Sequence, residues 1–399
     1  VAGQGQGRGA MGHPYTVELD MLSNEDNLRI NVLLRQDVHA LRIDESKMIV
    51  YALTGRGEGK IVLNPAGPDD KYLREIREML SNHFLGSPGG YPVYIHRWTR
   101  MSQSRSDDSL EKLLKLGEPE AVVAVANTGG ISTEISRRVW WALPSEETAR
   151  ALLQHDSVVT DELGQELARF LFEFLPFEAE PSRIVENVRL LLQPGLLSQQ
   201  EQASLWKKAA HKSAYYPGFL MAVPDAIPVD SDPHPDYTRI RDALEPLLNE
   251  QNDVAAMYLK VHSSEGRGFL QGIRLALKRP SSQDVVVALF KSIGTYYRSL
   301  GLAGVRQRKI ADIDMFAHQL CELDNVAGYE DLTRQLAEVS GSAHVDNDRL
   351  TAMLGLAQMG EDLLDPLFGG TDTLGSAMRK HIKPLASSVL AKIDTLERS

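Results

Sequence analysis

Hydrophobic and polar positions follow two different periods along this chain of 399 residues, and the change of period divides it. A short helix-like stretch, NEDNLRINVLL, precedes VHALRID, KMIVYAL and GKIVLN, which are rich in valine, isoleucine and leucine and predict three strands. DDKYLREIREMLSNHFL then has the period of an amphipathic helix, with Leu73, Ile76, Met79 and Leu80 on one face. With YPVYIHRW as a candidate fourth strand, these elements predict a small α+β unit over residues 21–101.

From residue 102 to residue 221 the pattern is helical, and the helices come in pairs. The first helices of the pairs begin near residues 118, 145 and 182, and their partners begin near 132, 160 and 198. A single helix hairpin cannot bury its apolar face alone, so neighbouring pairs must supply the rest of the core. The pairs therefore predict stacked helical hairpins, arranged as an irregular α-solenoid or as a bundle. Ser198 followed by Glu201 predicts a capping box.

Residues 222–237, AVPDAIPVDSDPHPDY, hold four prolines and four aspartates, which disfavours both helix and central strand. We interpret this segment as a linker and expect it to let the two halves of the chain reorient. The pattern from residue 238 to residue 399 is helical again and predicts a C-terminal all-α domain. The expected fold class is mostly α, with a small N-terminal α+β unit.

Composition and charge narrow the classes of function. The formal net charge of −11 argues against general binding to a phosphate backbone, because the field of the whole molecule repels a polyanion. No apolar run approaches the roughly 20 residues that a membrane-spanning helix needs. The single cysteine, Cys321, excludes an intrachain disulfide and fits a reducing compartment. We expect residues 1–20 to be an unstructured leader or tag remnant, Met21 to be the natural start, and the protein to be cytoplasmic.

The usual signatures of catalysis and metal binding do not occur in the sequence. The 11 histidines show none of the HxH, HExxH or CxxC spacings, and Asp314 with His318 predicts an ordinary pair on one helix face. Cys321 lies on the apolar face of its helix, which predicts a buried, inert thiol with a raised pKa. GRGEGK, residues 55–60, predicts a hairpin turn, and Asp346 or Asn347 predicts a helix cap. We therefore expect no enzyme activity, no cofactor and no metal site.

The candidate partner-binding residues are aromatic and basic. They come from the segment after the glycine- and proline-rich LGSPGGYP and from RRVWWAL: Tyr94, His96, Arg97, Trp98, Arg100, Arg105, Trp140 and Trp141. Such residues can anchor a protein partner or stack on bases, and they can equally form an aromatic core strand whose arginines pair with acids. We expect the loop to form the corner between the α+β unit and the helices. A second basic zone near residues 291–309 could meet an acidic partner or RNA, or be a solvated helix end.

Four long strings, NLRINVLL, RIDESKMIVYALTGRGEGKIVLNP, LGSPGGYPVYIHRWTRM and LLKLGEPEAVVAVA, resemble the DsrS family. Members of that family are encoded with the dissimilatory sulfite reductase genes of sulfur-oxidising bacteria. The resemblance covers residues 21–228 and implies an accessory or regulatory role in sulfur oxidation, with other proteins of that pathway as partners and no catalytic residues to carry over. A sulfur carrier using Cys321 is an alternative, but a persulfide relay needs an accessible thiol of low pKa. An RNA- or nucleotide-binding regulator is the other alternative.

Overall fold

The computed structural model describes most of the chain, namely residues 22–86, 107–302, 309–322, 326–364, 368 and 375–398. It is mostly α-helical, with 19 α-helices among the described residues and one small three-stranded antiparallel sheet near the N-terminus. The predicted fold class is therefore confirmed. The chain divides into two compact units, Val1–Leu152 and Leu153–Ser399. No described helix is both long enough and apolar enough to span a bilayer.

The first unit begins with the predicted α+β elements. Its helices and strands are α1 (Asn24–Leu34), β1 (Val38–Asp44), β2 (Ile49–Thr54), β3 (Gly57–Val62), α2 (Asp69–Leu85), α3 (Asp107–Leu114), α4 (Pro119–Ala126), α5 (Thr133–Ala142) and α6 (Glu146–Leu152). The strands pair in the order β1-β2-β3. GRGEGK contains the predicted hairpin turn: Gly55 and Arg56 join β2 to β3, with Thr54 opposite Gly57. The predicted fourth strand, residues 91–98, and the corner at residues 85–101 lie wholly or largely outside the described residues.

One face of the sheet packs against α1 and α2 around a core that includes Ile30, Leu41 and Ile76. Asp26, near the start of α1, is fully buried in this unit and accepts hydrogen bonds from the backbone N–H of Asn64 (2.8 Å) and from the Tyr72 hydroxyl. Burial alone would raise the pKa of Asp26, but these hydrogen bonds outweigh it and the pKa is lowered. The carboxylate thus fixes α1 to α2 and to the end of β3.

All the regular elements that the structure describes in the second unit are helices. They are α7 (Asp156–Val159), α8 (Glu162–Phe174), α9 (Pro181–Leu191), α10 (Gln199–Ala209), α11 (Tyr215–Ala222), α12 (Tyr237–Asn249), α13 (Asp253–His262), α14 (Ser264–Lys278), α15 (Gln283–Tyr296), α16 (Ile310–Glu322), α17 (Glu330–Ser340), α18 (Asn347–Ala357) and α19 (Gly375–Glu397). Ser198 and Glu201 form the predicted capping box of α10, and Asp346 caps α18. Consecutive helices pack on each other as helical hairpins do, for example α13 on α14.

Between the end of α11 and the start of α12, residues 223–236 form neither helix nor strand, as the prolines of the segment 222–237 predict, but the segment lies within the second unit. The backbone N–H of His234 donates to the carbonyl of His262 at 2.9 Å. The guanidinium of Arg267 donates to the carbonyl of Asp232 at 2.8 Å. Helices α9 and α11, which precede the segment, pack against α15, which follows it. The two compact units therefore divide at Leu152, whereas the sequence places its domain boundaries at residue 101 and at 222–237.

Candidate functional site

Two of the eight candidate partner-binding residues can be placed. Tyr94, His96, Arg97, Trp98, Arg100 and Arg105 lie outside the described residues. Trp140 and Trp141 lie in the last turn of α5, and both side chains are half-buried. Adjacent positions of a helix cannot both point into one core, so at least one of the two tryptophans is expected to fill a groove or to remain partly exposed. Trp141 is the one whose contacts define a surface.

Two hydrogen bonds and one cation–π contact join Trp141, at the end of α5, to residues of the sheet. Its indole N–H donates to Oε2 of Glu58 at 3.1 Å. Its backbone carbonyl accepts a hydrogen bond from the guanidinium of Arg42 at 3.3 Å. The guanidinium carbon of Arg42 also lies 5.1 Å from the indole centroid, within the range of a cation–π contact. The aromatic ring is therefore held in one orientation by its neighbours.

The strand register brings these partners into two adjacent rows on the face of the sheet opposite α1 and α2. Arg42 of β1 pairs with Tyr51 of β2, and Tyr51 pairs with Lys60 of β3. The guanidinium of Arg42 lies 4.8 Å from the Tyr51 ring centroid, so it lies between two aromatic rings. We call Arg42, Tyr51, Glu58, Lys60 and Trp141 the Trp141 surface. Glu58 and Lys60 are exposed, whereas the other three are half-buried.

A groove of about 540 Å³ borders this surface and shares Arg42 and Tyr51 with it. Its other walls are the β1–β2 turn, the loop before α4 and the end of α5. Gly117 has a φ of +65°, and a Cβ there would lie 2.9 Å from Cγ1 of Ile43. Only glycine therefore lets the loop before α4 approach the sheet this closely. The groove is a fixed feature of the packing of α4 on the sheet.

Two charged clusters stabilise the elements that form and support the groove. Oδ1 of Asp44 accepts hydrogen bonds from the Ser46 hydroxyl (2.7 Å) and from the backbone N–H of Lys47 (3.1 Å), and these contacts lower the pKa of Asp44. Beside β1, Glu111 accepts from Arg138 at 2.6 Å. Burial alone would raise the pKa of Glu111, but Lys115 and Arg138 outweigh it, so this carboxylate also stays ionised. The first cluster holds the β1–β2 turn that lines the groove, and the second joins α3 to α5.

Cys321, the predicted inert thiol, is half-buried near the end of α16. Burial raises its pKa, which more than offsets the hydrogen bond that the Thr351 hydroxyl donates to the sulfur at 3.5 Å. A thiol with a raised pKa holds little thiolate at neutral pH, and the thiolate is the reactive form. The geometry therefore favours a structural role for this side chain.

Asp314 and His318 lie along one wall of a cleft of about 310 Å³, together with Lys392 and Arg398. Lys392 donates to the carboxylate of Asp314 and to the Ser388 hydroxyl, so the carboxylate is part of an ion pair. Within the described part of the chain, no three histidine, cysteine, aspartate or glutamate side chains converge as metal ligands would. The ion pair between Asp314 and Lys392 therefore joins helix α16 to helix α19.

The structure also brings together two histidines that the sequence did not single out, His234 and His262. Both are at least 98% buried, and their ring centroids lie 5.2 Å apart in a T-shaped arrangement. Nδ1 of His262 donates to the carbonyl of Tyr258 at 2.7 Å, and burial lowers the pKa of His262 to about 4. Nε2 of His234 donates to the carbonyl of Arg398 at 3.0 Å. The pair is neutral at pH 7 and attaches the C-terminal helix.

Comparison with protein-family models, with curated proteins and with solved structures finds no match to this chain.

Proposed function

We propose that this protein is a non-enzymatic accessory or regulatory protein that works by binding other proteins, and that its partners belong to bacterial sulfur oxidation. The observation that carries the binding role is the Trp141 surface: an arginine held between a tyrosine and a tryptophan beside a groove of about 540 Å³. The pathway rests on the resemblance of residues 21–228 to the DsrS family. Cytoplasmic location belongs to the same proposal.

The residue types of this surface support a protein partner. Tryptophan, tyrosine and arginine dominate the binding energy of protein interfaces, because each combines a large apolar area with a polar group. Here the rings of Tyr51 and Trp141 are already fixed by Arg42 and Glu58, so that binding orders few side chains. A pre-ordered surface loses less conformational entropy on association.

Exposed charges of both signs flank the aromatic rings and favour a folded partner with a mixed surface. Lys60 continues the row of Arg42 and Tyr51, while Glu58 lies in the next row. Such a rim contributes to the rate and specificity of association more than to its affinity.

The test is affinity capture with the full chain as bait, from extracts of cells that are oxidising sulfur, with the captured proteins identified by mass spectrometry. We expect sulfur-oxidation proteins to be enriched among the captured proteins. Trp141→Ala should weaken their capture, because loss of a central aromatic anchor costs about 2 kcal/mol or more of binding free energy. Lys60→Glu reverses an exposed charge on the same surface and serves as a second variant that leaves the packing intact.

Lys71→Glu is the matched control, because Lys71 is exposed on α2 rather than on the Trp141 surface. Capture that is lost in Trp141→Ala and Lys60→Glu but kept in Lys71→Glu supports the proposal. Failure to enrich any protein of sulfur oxidation, or equal capture by all four chains, would refute it.

A further inference from the structure

A groove of about 740 Å³ in the second unit differs in character from the rest of this acidic protein. One wall is the turn after α8, from Pro176 to Ala179, and another is the loop between α10 and α11. Arg279–Ser281, after α14, and Arg379 of α19 complete it. We call it the Phe177 groove. Its volume lies in the range of sites that enclose a ligand or a peptide segment.

The groove presents an aromatic side chain that the fold holds in solvent. Phe177 is 81% exposed, the largest fraction among the exposed large hydrophobic residues of the described chain. The turn that carries it is fixed, because the ammonium group of Lys212 donates to the carbonyls of Pro176 (2.8 Å) and Glu178 (3.2 Å). Pro181 and the buried Ile184 extend the apolar wall. An ordered, exposed phenylalanine next to apolar walls is typical of an interaction surface.

The charge of the groove is opposite to that of the whole chain. The groove is lined by three basic side chains and one carboxylate. The basic residues are Lys212, Arg279 and Arg379, and the carboxylate is that of Glu178. Arg279 and Arg379 are both exposed, and neither has an ion-pair partner within the described residues. The chain as a whole has a net charge of −11. The basic groove is therefore a local exception rather than part of a general basic surface.

Helix dipoles explain only part of this charge. Arg279 directly follows the C-terminal end of α14, where a cation is favourable. Arg379, Lys380 and Lys383 are exposed in the N-terminal part of α19, whose first turn has no acidic residue. Cations near a helix N-terminus gain nothing from the dipole. The dipole therefore does not explain the cations of α19.

We propose that the Phe177 groove binds an acidic peptide segment of a partner protein, with an apolar anchor of that segment packed on Phe177. Arg279 and Arg379 pair with carboxylates on either side of the anchor. A long polyanion such as RNA fits less well, because it would extend beyond the groove over an acidic surface that repels it. The proposal is independent of the Trp141 surface, which lies in the other unit.

Fluorescence anisotropy with the full chain tests the proposal directly. The probe is a labelled peptide of aspartate and glutamate around a central tryptophan and leucine, and a peptide with lysine in place of every acid is the comparison. We expect the acidic peptide to bind, the lysine peptide not to bind, and the affinity for the acidic peptide to fall as salt rises.

Charge reversal and truncation locate the site. We expect the double variant Arg279→Glu, Arg379→Glu and the single variant Phe177→Ala each to weaken binding of the acidic peptide about tenfold or more. Arg298→Glu and Met315→Ala change an exposed arginine and an exposed methionine of the same unit that do not line the groove, so they should bind as the original chain does. Thermal melts should show unchanged stability for all four, because each altered side chain is exposed.

Three results would overturn the proposal: no binding of the acidic peptide at low salt, equal binding of both peptides, or equal weakening by the control variants. Labelled single-stranded RNA is titrated in parallel. RNA that binds where the acidic peptide does not, and that loses affinity in the double variant, would assign the groove to nucleic acid instead.

Discussion

Acidification should destabilise the second unit through His262. Its side chain is 1% exposed, its Nδ1–H donates to the Tyr258 carbonyl, and its Nε2 is buried without a hydrogen-bond partner in the described chain. Burial lowers the pKa of His262 from 6.5 to about 4. The unfolded chain therefore takes up a proton first as the pH falls, and protonation favours unfolding.

The sign and size follow from that difference in pKa. The contribution of His262 to the free energy of unfolding is fully present above pH 6.5 and falls as the pH drops from 6.5 to 4. A difference of about 2.5 pKa units corresponds to about 3 kcal/mol, all of it lost once the pH is below 4. Burial also lowers the pKa of His234, so the second imidazole acts in the same direction.

The assay is denaturant unfolding, followed by circular dichroism, of the original chain and of His262→Asn between pH 7.5 and 4.5, a window set around these pKa values. An asparagine amide can keep the hydrogen bond to the Tyr258 carbonyl but does not titrate. The variant should be less stable at pH 7, because asparagine is smaller than histidine. The difference in free energy of unfolding between the two chains should narrow as the pH falls. Carboxylates titrate alike in both chains, so the difference isolates the imidazole. A gap that stays constant over this range would refute the reasoning.

Two further predictions concern packing and thiol chemistry. Gly218→Ala should lower the free energy of unfolding by about 2 kcal/mol, because a Cβ there would lie 2.7 Å from Cβ of Val188. The control Gly268→Ala should change this free energy little, because the nearest side-chain atom is 3.4 Å from the added Cβ. Equal melting temperatures of the two variants would contradict this prediction. The thiol of Cys321 should react with a disulfide reagent at least about tenfold more slowly in the folded chain than in urea. Thr351→Val should lower the reaction rate of the folded chain further, because it removes the hydrogen bond to the sulfur. Equal rates in the folded and unfolded chains would contradict this prediction.

Elements set by neighbouring residues were predictable from the sequence. The first helix and the helix Asp69–Leu85 occur at the predicted residues, and in the second of them the apolar residues repeat with the helical period over several turns. The hairpin at residues 55–60 and the capping box of Ser198 also follow from short-range chemistry. Each of these features depends on residues only a few positions apart, which a reader of the sequence sees together.

The candidate sites depend on residues far apart in the sequence, and for that reason most of their chemistry could not be predicted. Trp141 could be named from its neighbour Trp140, but its partners Arg42 and Glu58 are 99 and 83 residues away. The Phe177 groove joins segments near residues 177, 212, 279 and 379, and none of them carries a motif. The charge of the whole chain gave no sign of a basic groove, since a sum does not report where charges lie.

The segment 222–237 shows that a composition typical of a linker can occur within a compact unit. Its prolines do prevent regular structure, but a linker also requires the absence of tertiary contacts. Here Ile227 is buried beside Gly268 and Gly272 of α14, and Lys260 pairs with Asp225 at 2.8 Å. Backbone groups that prolines leave without a regular partner are bonded by His262 and Arg267 instead. A proline-rich segment can thus be an irregular part of a core, and the contacts that make it so come from helices that lie about 30 residues further along the chain.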